Sequence, residues 1–173
     1  MQKNVNYISY CSILQQKKQI FYVNYSVDFD NHFCVIFCVE PIDEFTKTNI
    51  MIPKIIHYCW FGGKPMPELA LKCIASWKKY LPDYELRLWN EETFDVNSVP
   101  YVKEAYEARK FAFVTDYIRL WALECEGGIY MDTDVEILRP LDDLMHLPAF
   151  TGYEASMANA PVTGLMSSAP HGV

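Results

Sequence analysis

The sequence lacks any long apolar run and any leader of the usual secretory kind. Its longest early apolar stretch, FCVIFCV at residues 33–39, is far shorter than the ~20 residues that a membrane-spanning helix needs. The N-terminus shows no basic region followed by an apolar one, so we expect no signal peptide. We therefore expect a cytoplasmic protein, whose contact with a membrane would be peripheral, at its inner face.

The six cysteines include no C-x-x-C pair. This absence favours a reduced, cytosolic-type compartment over a disulfide framework. His32, Cys34 and Cys38 lie close together in the sequence, but they lack a fourth ligand and the usual zinc spacing. We therefore expect no zinc site there.

The chain is also short of positive charge. Lys and Arg number 15 against 22 Asp and Glu, which gives a formal net charge of −7. Because binding to nucleic-acid phosphates needs Lys and Arg, we expect no nucleic-acid partner, whereas a nucleotide held through a divalent cation remains open. Hydrophobic residues make up 51% and charged residues only 21%, which favours a folded domain with a core over disorder.

A change in character occurs at Met51. Residues 1–50 are rich in Asn, Tyr, Ser and Gln without clear periodicity, whereas MIPKIIHYCWFGGKP at 51–65 begins with an apolar run and a Gly-Gly turn. We expect a domain over 51–173 with Met51 as the natural start and 1–50 as an upstream extension; a genuine small β-rich extension is the alternative. The apolar APVTGLM at 160–166 is typical of a strand with nothing after it to complete a layer, so we expect a C-terminal truncation.

The body of the chain alternates between strand and helix patterns. Helix signals include an apolar spacing at Leu71, Ile74 and Trp77, and Gly127 in the C-cap position of a longer helix. Strands are predicted over 54–60, 84–90 and 128–134, and helices from Pro67 to before Pro82, over 102–108 and over 113–126. This order predicts an α/β fold with a parallel sheet covered by helices.

Such a sheet would gather three polar segments at one edge. Ligands of open parallel sheets bind at the carboxyl ends of the strands. The predicted strands end at Trp60 to Gly63, at Trp89 and Asn90, and at Asp132 and Asp134. We therefore expect these segments to lie near one another.

The triplet Asp132-Thr133-Asp134 follows an apolar run and a glycine pair in CEGGIYMDTDVEILRP, residues 125–140. Two carboxylates at this spacing can reach one hard cation, and Mg²⁺ and Mn²⁺ commonly take one or two carboxylates plus substrate phosphates. A solvated turn is the alternative, since D-x-D triplets also occur by chance.

Asp116 and Arg119 are three residues apart on the longest predicted helix, so they share a face. A surface ion pair of under ~1 kcal/mol is the simplest interpretation. Their neighbours Phe113, Leu120 and Leu123 are core-like, however, which favours a functional pair that binds sugar hydroxyls or phosphate.

A phosphatase of the haloacid dehalogenase type is a rival interpretation, because it places D-x-D after an apolar strand with the first Asp as nucleophile. Here the fifth position is Glu136 rather than Thr or Val, and the triplet follows the third predicted strand rather than the first. These departures disfavour that class without removing it.

The segment RKFAFVTDYIRLWALECEGGIYMDTDVEILRPLDDL resembles the sugar-binding region of DXD glycosyltransferases, particularly those of family 32. IPKIIHYCWFGGKPMPE and SWKKYLPDYELRLWNEE are also similar to that family, whose bacterial capsular-polysaccharide branch is the nearest likeness. The resemblance spans about residues 52–170. It implies a GT-A (Rossmann-like) fold, a nucleotide-sugar donor carrying UDP or GDP, and Mn²⁺ or Mg²⁺. It further implies a glycan or glycolipid acceptor and transfer with retention.

Site roles also follow from the resemblance. Asp134 would bind the metal directly, and Asp132 would meet the ribose, the sugar or the metal. Asp116 and Arg119 would hold the donor sugar, and Trp60 would lie against the base.

Because family members continue further, a catalytically inert donor-binding fragment is the alternative to an active enzyme. His57 is expected to be a structural core residue, and we assign no protein nucleophile.

Overall fold

The computed structural model describes residues 51–154 and 160–172, which form a sheet with helices on both faces. The helices are α1 (Glu68–Tyr80), α2 (Pro100–Glu107), α3 (Phe111–Glu126) and a short 3-10 helix (Asp142–Leu144). The strands are β1 (Ile55–Cys59), β2 (Glu85–Trp89), β3 (Gly128–Met131), β4 (Ala149–Glu154) and β5 (Ala160–Ser168). The expected extension at 1–50 and the residues His32, Cys34 and Cys38 lie outside the described residues.

The sheet has five strands in the order β2-β1-β3-β5-β4. β1 pairs in parallel with β2 and with β3, which confirms the predicted parallel core. The sheet is mixed rather than wholly parallel, because β5, which lies beyond the predicted alternation, runs antiparallel to both β3 and β4. The strand predicted at 160–166 is confirmed: β5 lies inside the sheet between β3 and β4, and both of these partners precede it in the chain.

Helix α1 covers one face of the sheet. It begins directly after Pro67, as predicted, and its buried stripe is Ala70, Cys73, Ile74 and Trp77. These positions follow the helical spacing of three and four residues, whereas the predicted stripe through Leu71 does not close on the same face. Leu71 is exposed, so that part of the prediction is wrong.

Helix α3 covers the opposite face together with α2. Its buried side includes Val114, Ile118, Arg119 and Leu123, and it ends at Gly127, whose φ of 64° suits the predicted C-cap. Phe113 and Leu120 are about half exposed, so the prediction that they are core-like is wrong, although Leu123 is fully buried. The helix turns its polar Arg119 inward instead.

His57 on β1 hydrogen-bonds in the core to β2 and to the end of α3. Its Nε2–H donates to the carbonyl of Gly127 at 2.8 Å, which leaves Nδ1 to accept the Trp89 indole N–H at 3.1 Å. Burial lowers the pKa of His57, so the neutral imidazole is the folded form. The prediction of a structural, hydrogen-bonded core histidine is confirmed.

No helix within 51–154 or 160–172 is long and apolar enough to cross a membrane.

Candidate functional site

The carboxyl ends of β1, β2 and β3 meet at one edge of the sheet, as expected. β1 lies between β2 and β3 and is parallel to both, so the segments that follow the three strands leave on the same side. The Trp60 amide donates to the Trp89 carbonyl at 2.9 Å, which continues the β1–β2 pairing into the loops. The predicted convergence is therefore confirmed by the topology.

A cleft of ≈ 530 Å³ opens beyond the ends of β1 and β2. Trp60 lines it, and its indole N–H donates to the Lys64 carbonyl at 2.6 Å, which folds the Gly62-Gly63 loop back on itself. The other lining residues are Gly62, Gly63, Lys64, Asn90, Glu91, Glu92 and Tyr106. The cleft is polar at its rim and aromatic at its wall, which suits a ligand with a flat ring and hydroxyl groups.

Glu91 organises this cleft. One carboxylate oxygen accepts the Gly62 amide N–H at 2.7 Å and the Tyr106 hydroxyl at 2.8 Å. Partial desolvation alone would raise the pKa of Glu91, but hydrogen bonds from the Gly62 and Glu91 amides and from Tyr106 outweigh it and hold that pKa below its usual value. Glu91 is therefore ionised at neutral pH.

Arg119 forms the centre of a second cluster, beyond β3. Its side chain is 7% exposed, and its guanidinium lies 2.9 Å from an Asp116 carboxylate oxygen and 3.7 Å from an Asp132 oxygen. The same group donates to the Thr163 carbonyl at 2.6 Å and stacks over the Tyr130 ring, 4.8 Å from its centroid. In the Asp116–Arg119 ion pair the guanidinium is therefore buried, so this is not a simple surface ion pair.

Asp132 is fixed from three directions. The Tyr130 hydroxyl donates to its Oδ1 at 2.7 Å, its own amide donates to the Gly164 carbonyl at 2.8 Å, and a Cβ on Gly164 would lie 3.0 Å from its Oδ2. Burial raises the pKa of Asp132, while Tyr130 and Arg119 oppose that rise. A bound cation would favour the ionised form further.

Asp134 lies in the turn that follows, where the Val135 amide donates to the Asp132 carbonyl. Asp134 is exposed, and its negative charge contributes to raising the pKa of Asp132. Within the described part of the chain, no group of three or more His, Cys, Asp or Glu side chains could hold a metal ion. Two carboxylate residues fit Mg²⁺ or Mn²⁺, because such ions keep several waters and take substrate phosphates as further ligands.

The structure brings Asp116, Arg119 and Asp132 into one cluster, with Asp134 in the turn beside it, while Trp60 lines the separate cleft at the same edge.

Sequence reasoning missed Tyr130 and Glu91. The period of two residues along a strand places Tyr130 on the same face as Asp132, so its role was readable in principle. The contact between Glu91 and Gly62 joins two distant loops and left no local signal.

Residues 67–151 match the family described as the glycosyltransferase sugar-binding region containing the DXD motif. That range holds Asp116, Arg119 and the DTD triplet. It leaves out β1 and Trp60.

Curated relatives extend this match. The chain is 31% identical over 138 residues to inositol phosphoceramide mannosyltransferase 3 of Schizosaccharomyces pombe, covering 76% of this chain and 36% of that protein. It is 29% identical over 141 residues to glucan organizing enzyme 1 of Cryptococcus neoformans, covering 68% and 38%. The chain thus spans little more than a third of the length of these two relatives.

A solved structure, the PaToxG glycosyltransferase, superposes with a TM-score of 0.52 at 19% identity and covers 70% of this chain and 57% of its own. At that identity the likeness concerns the fold, which is the GT-A-like architecture expected from the sequence. The matched DXD region and the mannosyltransferase relative support a DXD-motif glycosyltransferase of the family 32 type.

Proposed function

We propose that this site binds a nucleotide sugar with a divalent cation and serves glycosyl transfer. The observation that carries the proposal is the buried Arg119, which joins Asp116 and Asp132 beside an exposed Asp134 at the carboxyl edge of the sheet. A positive group held between carboxylates, at the same edge of the sheet as a cleft with an aromatic wall, suits a ligand that is both anionic and rich in hydroxyls.

We assign residues to each part of the donor. Trp60 and the cleft would take the base, and Asp132 would take the ribose or the sugar. Asp116 and Arg119 would hold the donor sugar, because a carboxylate accepts from hydroxyls and a guanidinium donates to them. Asp134, with Asp132, would hold the cation.

The chemistry requires stabilisation of a departing nucleoside diphosphate. Mn²⁺ or Mg²⁺, when bound, would neutralise the negative charge that develops on that leaving group. Arg119 would add a fixed positive charge from within the protein, and its contacts mean that it need not reorganise during the reaction.

The acceptor we propose is a polysaccharide or glycolipid of the cell surface, such as a capsular glycan, with transfer proceeding with retention at the cytoplasmic side of the membrane. The name of the S. pombe relative, an inositol phosphoceramide mannosyltransferase, supports a glycolipid acceptor. Because this chain spans 36% of that relative, donor binding without transfer is the second candidate.

The test is to incubate the full chain with UDP- and GDP-sugars and Mn²⁺, and to measure release of the nucleoside diphosphate with and without glycolipid. The proposal predicts metal-dependent release that is lost in Asp134→Asn. It predicts no loss in Asp143→Asn, a matched change at an exposed residue of the 3-10 helix.

Donor binding without release would favour the inert donor-binding alternative. A phosphoenzyme trapped on Asp132 would overturn the proposal in favour of the phosphatase.

A further inference from the structure

The loop from Trp60 to Lys64 forms one wall of the cleft, and its shape depends on a few specific contacts. Gly62 has φ of 95°, and a Cβ placed on it would lie 2.6 Å from the Phe111 ring. The loop therefore packs tightly on the first residue of α3. Gly63 has nothing within 4 Å of its Cβ position, so its backbone borders open space.

One carboxylate joins this loop to two other elements. Glu91 follows β2, accepts the Gly62 amide N–H, and accepts the hydroxyl of Tyr106 from α2. The Tyr106 ring also contacts the Phe111 ring edge-on, with centroids 5.6 Å apart. The end of β2, the end of α2 and the start of α3 thus all act on the same loop.

These contacts set the position of Trp60. Its indole N–H donates to the Lys64 carbonyl, which ties the ring to the conformation of the loop. An amide hydrogen bond to an ionised carboxylate is stronger than a neutral one. Loss of Glu91 would therefore free the loop while leaving the core beneath it intact, because Glu91 is exposed.

We propose that Glu91 is a positioning residue for the nucleotide cleft: its carboxylate, oriented by Tyr106, holds the Trp60–Lys64 loop in the form that receives the nucleoside part of the donor. The inference rests on the proposed function of the same site. It adds a residue that acts mainly through the loop, and it makes the cleft dependent on a support outside the DXD segment.

The experiment compares the full wild-type chain with Glu91→Ala, Glu91→Gln and Tyr106→Phe in titrations with UDP and GDP in the presence of Mn²⁺. Glu91→Ala should weaken binding about tenfold, since two charge-assisted hydrogen bonds are lost. Glu91→Gln keeps an acceptor oxygen and should stay within about threefold of wild type. Glu104→Ala, an exposed charge-matched change on α2, should bind as wild type does.

Tyr106→Phe separates positioning from direct ligand contact by Glu91. It should weaken binding about threefold in the wild-type background and cause no further loss in the Glu91→Ala background, because the two side chains act as one unit. Additive losses of the two changes would overturn the positioning role.

Amide hydrogen exchange of the segment around Gly62 provides a measurement that needs no ligand. Exchange at the Gly62 amide should be about tenfold faster in Glu91→Ala and near wild type in Glu91→Gln. Unchanged exchange in Glu91→Ala would overturn the inference whether or not nucleotide binds. A further outcome is that Glu91→Gln exchanges as slowly as wild type but the wild-type chain binds no nucleotide. That result would overturn the proposed function and the role of Glu91 in nucleotide binding, and would leave only its contact with the loop.

Discussion

The cleft beside Trp60 and the cluster around Arg119 lie at the same edge of one sheet, yet they are held in place differently. The Arg119 side chain is 7% exposed and contacts residues of α3, of β3 and of β5. The cleft is shaped by the exposed Glu91 and by two glycines in left-handed conformations. One region is fixed by burial and the other by a small number of exposed bonds.

This difference indicates a division of labour. A buried guanidinium with several fixed partners cannot rearrange cheaply, so Arg119 is suited to groups whose positions must be constant during a reaction. A loop held by exposed hydrogen bonds opens at a lower free energy. We therefore expect the cleft to adjust when a ligand binds, while the Arg119 cluster stays as it is.

The largest effect is expected from Arg119→Ala. The change leaves the Thr163 carbonyl without its donor and Asp132 without its cation, so the free energy of unfolding should fall by about 3 kcal/mol. Urea unfolding measures this. Lys78→Ala, which removes an exposed charge from α1, should change it by under ~0.5 kcal/mol. An equally small change for Arg119→Ala would mean that the cluster is not structurally fixed.

A matched pair of glycine substitutions tests the other region. Gly62→Ala places a Cβ 2.6 Å from the Phe111 ring at a φ of 95°, whereas Gly63→Ala meets open space at a φ of 66°. We expect a loss of stability of about 2 kcal/mol for the first and about 1 kcal/mol for the second, the latter from backbone strain alone. Equal losses in urea unfolding would show that the contact with Phe111 does not shape the loop.

A third prediction perturbs the shared core rather than either region. Burial lowers the pKa of His57 below its unfolded value of ~6.5, so the unfolded chain takes up a proton first as the pH falls. Stability should be full above about pH 6.5 and decline below it, by at most about 1.4 kcal/mol per pH unit from this residue.

Unfolding free energies between pH 5 and 8 check this prediction. In His57→Gln the His57 part of the slope should vanish, although the variant is less stable at pH 7 because one buried bond is lost. His146→Gln, which removes an exposed histidine, is the matched control. A slope unchanged in His57→Gln would contradict the account of a neutral buried imidazole.

The parallel part of the fold was predictable because its signals are local. The apolar runs, Pro67 and Gly127 mark β1, α1 and the end of α3, and alternation of strands with helices implies parallel pairing. The position of β5 was not predictable, since antiparallel pairing with β3 depends on contacts between residues far apart in sequence.

The candidate site was predictable in its residue types and less so in its arrangement. The spacing of Asp116 and Arg119 correctly indicated a shared face. Phe113 and Leu120 were taken as evidence that this face is buried, but both are about half exposed. Arg119 is buried with partners for its two terminal nitrogens and its ring-stacking face, namely Thr163, Asp116 and Tyr130, while its Nε has no hydrogen-bond partner. Those partners come from three elements and cannot be read from one helix.

The most direct test of the central claim is a calorimetric titration of the full chain with UDP and with GDP, each with and without Mn²⁺, in wild type and in Asp134→Asn. We predict that at least one nucleotide binds only when Mn²⁺ is present, and that this binding is lost in Asp134→Asn while the fold is retained. Binding that needs no metal, or that is unchanged in Asp134→Asn, would contradict the assignment of the DTD turn as the cation site. Absence of binding by folded wild-type protein would contradict the donor site itself.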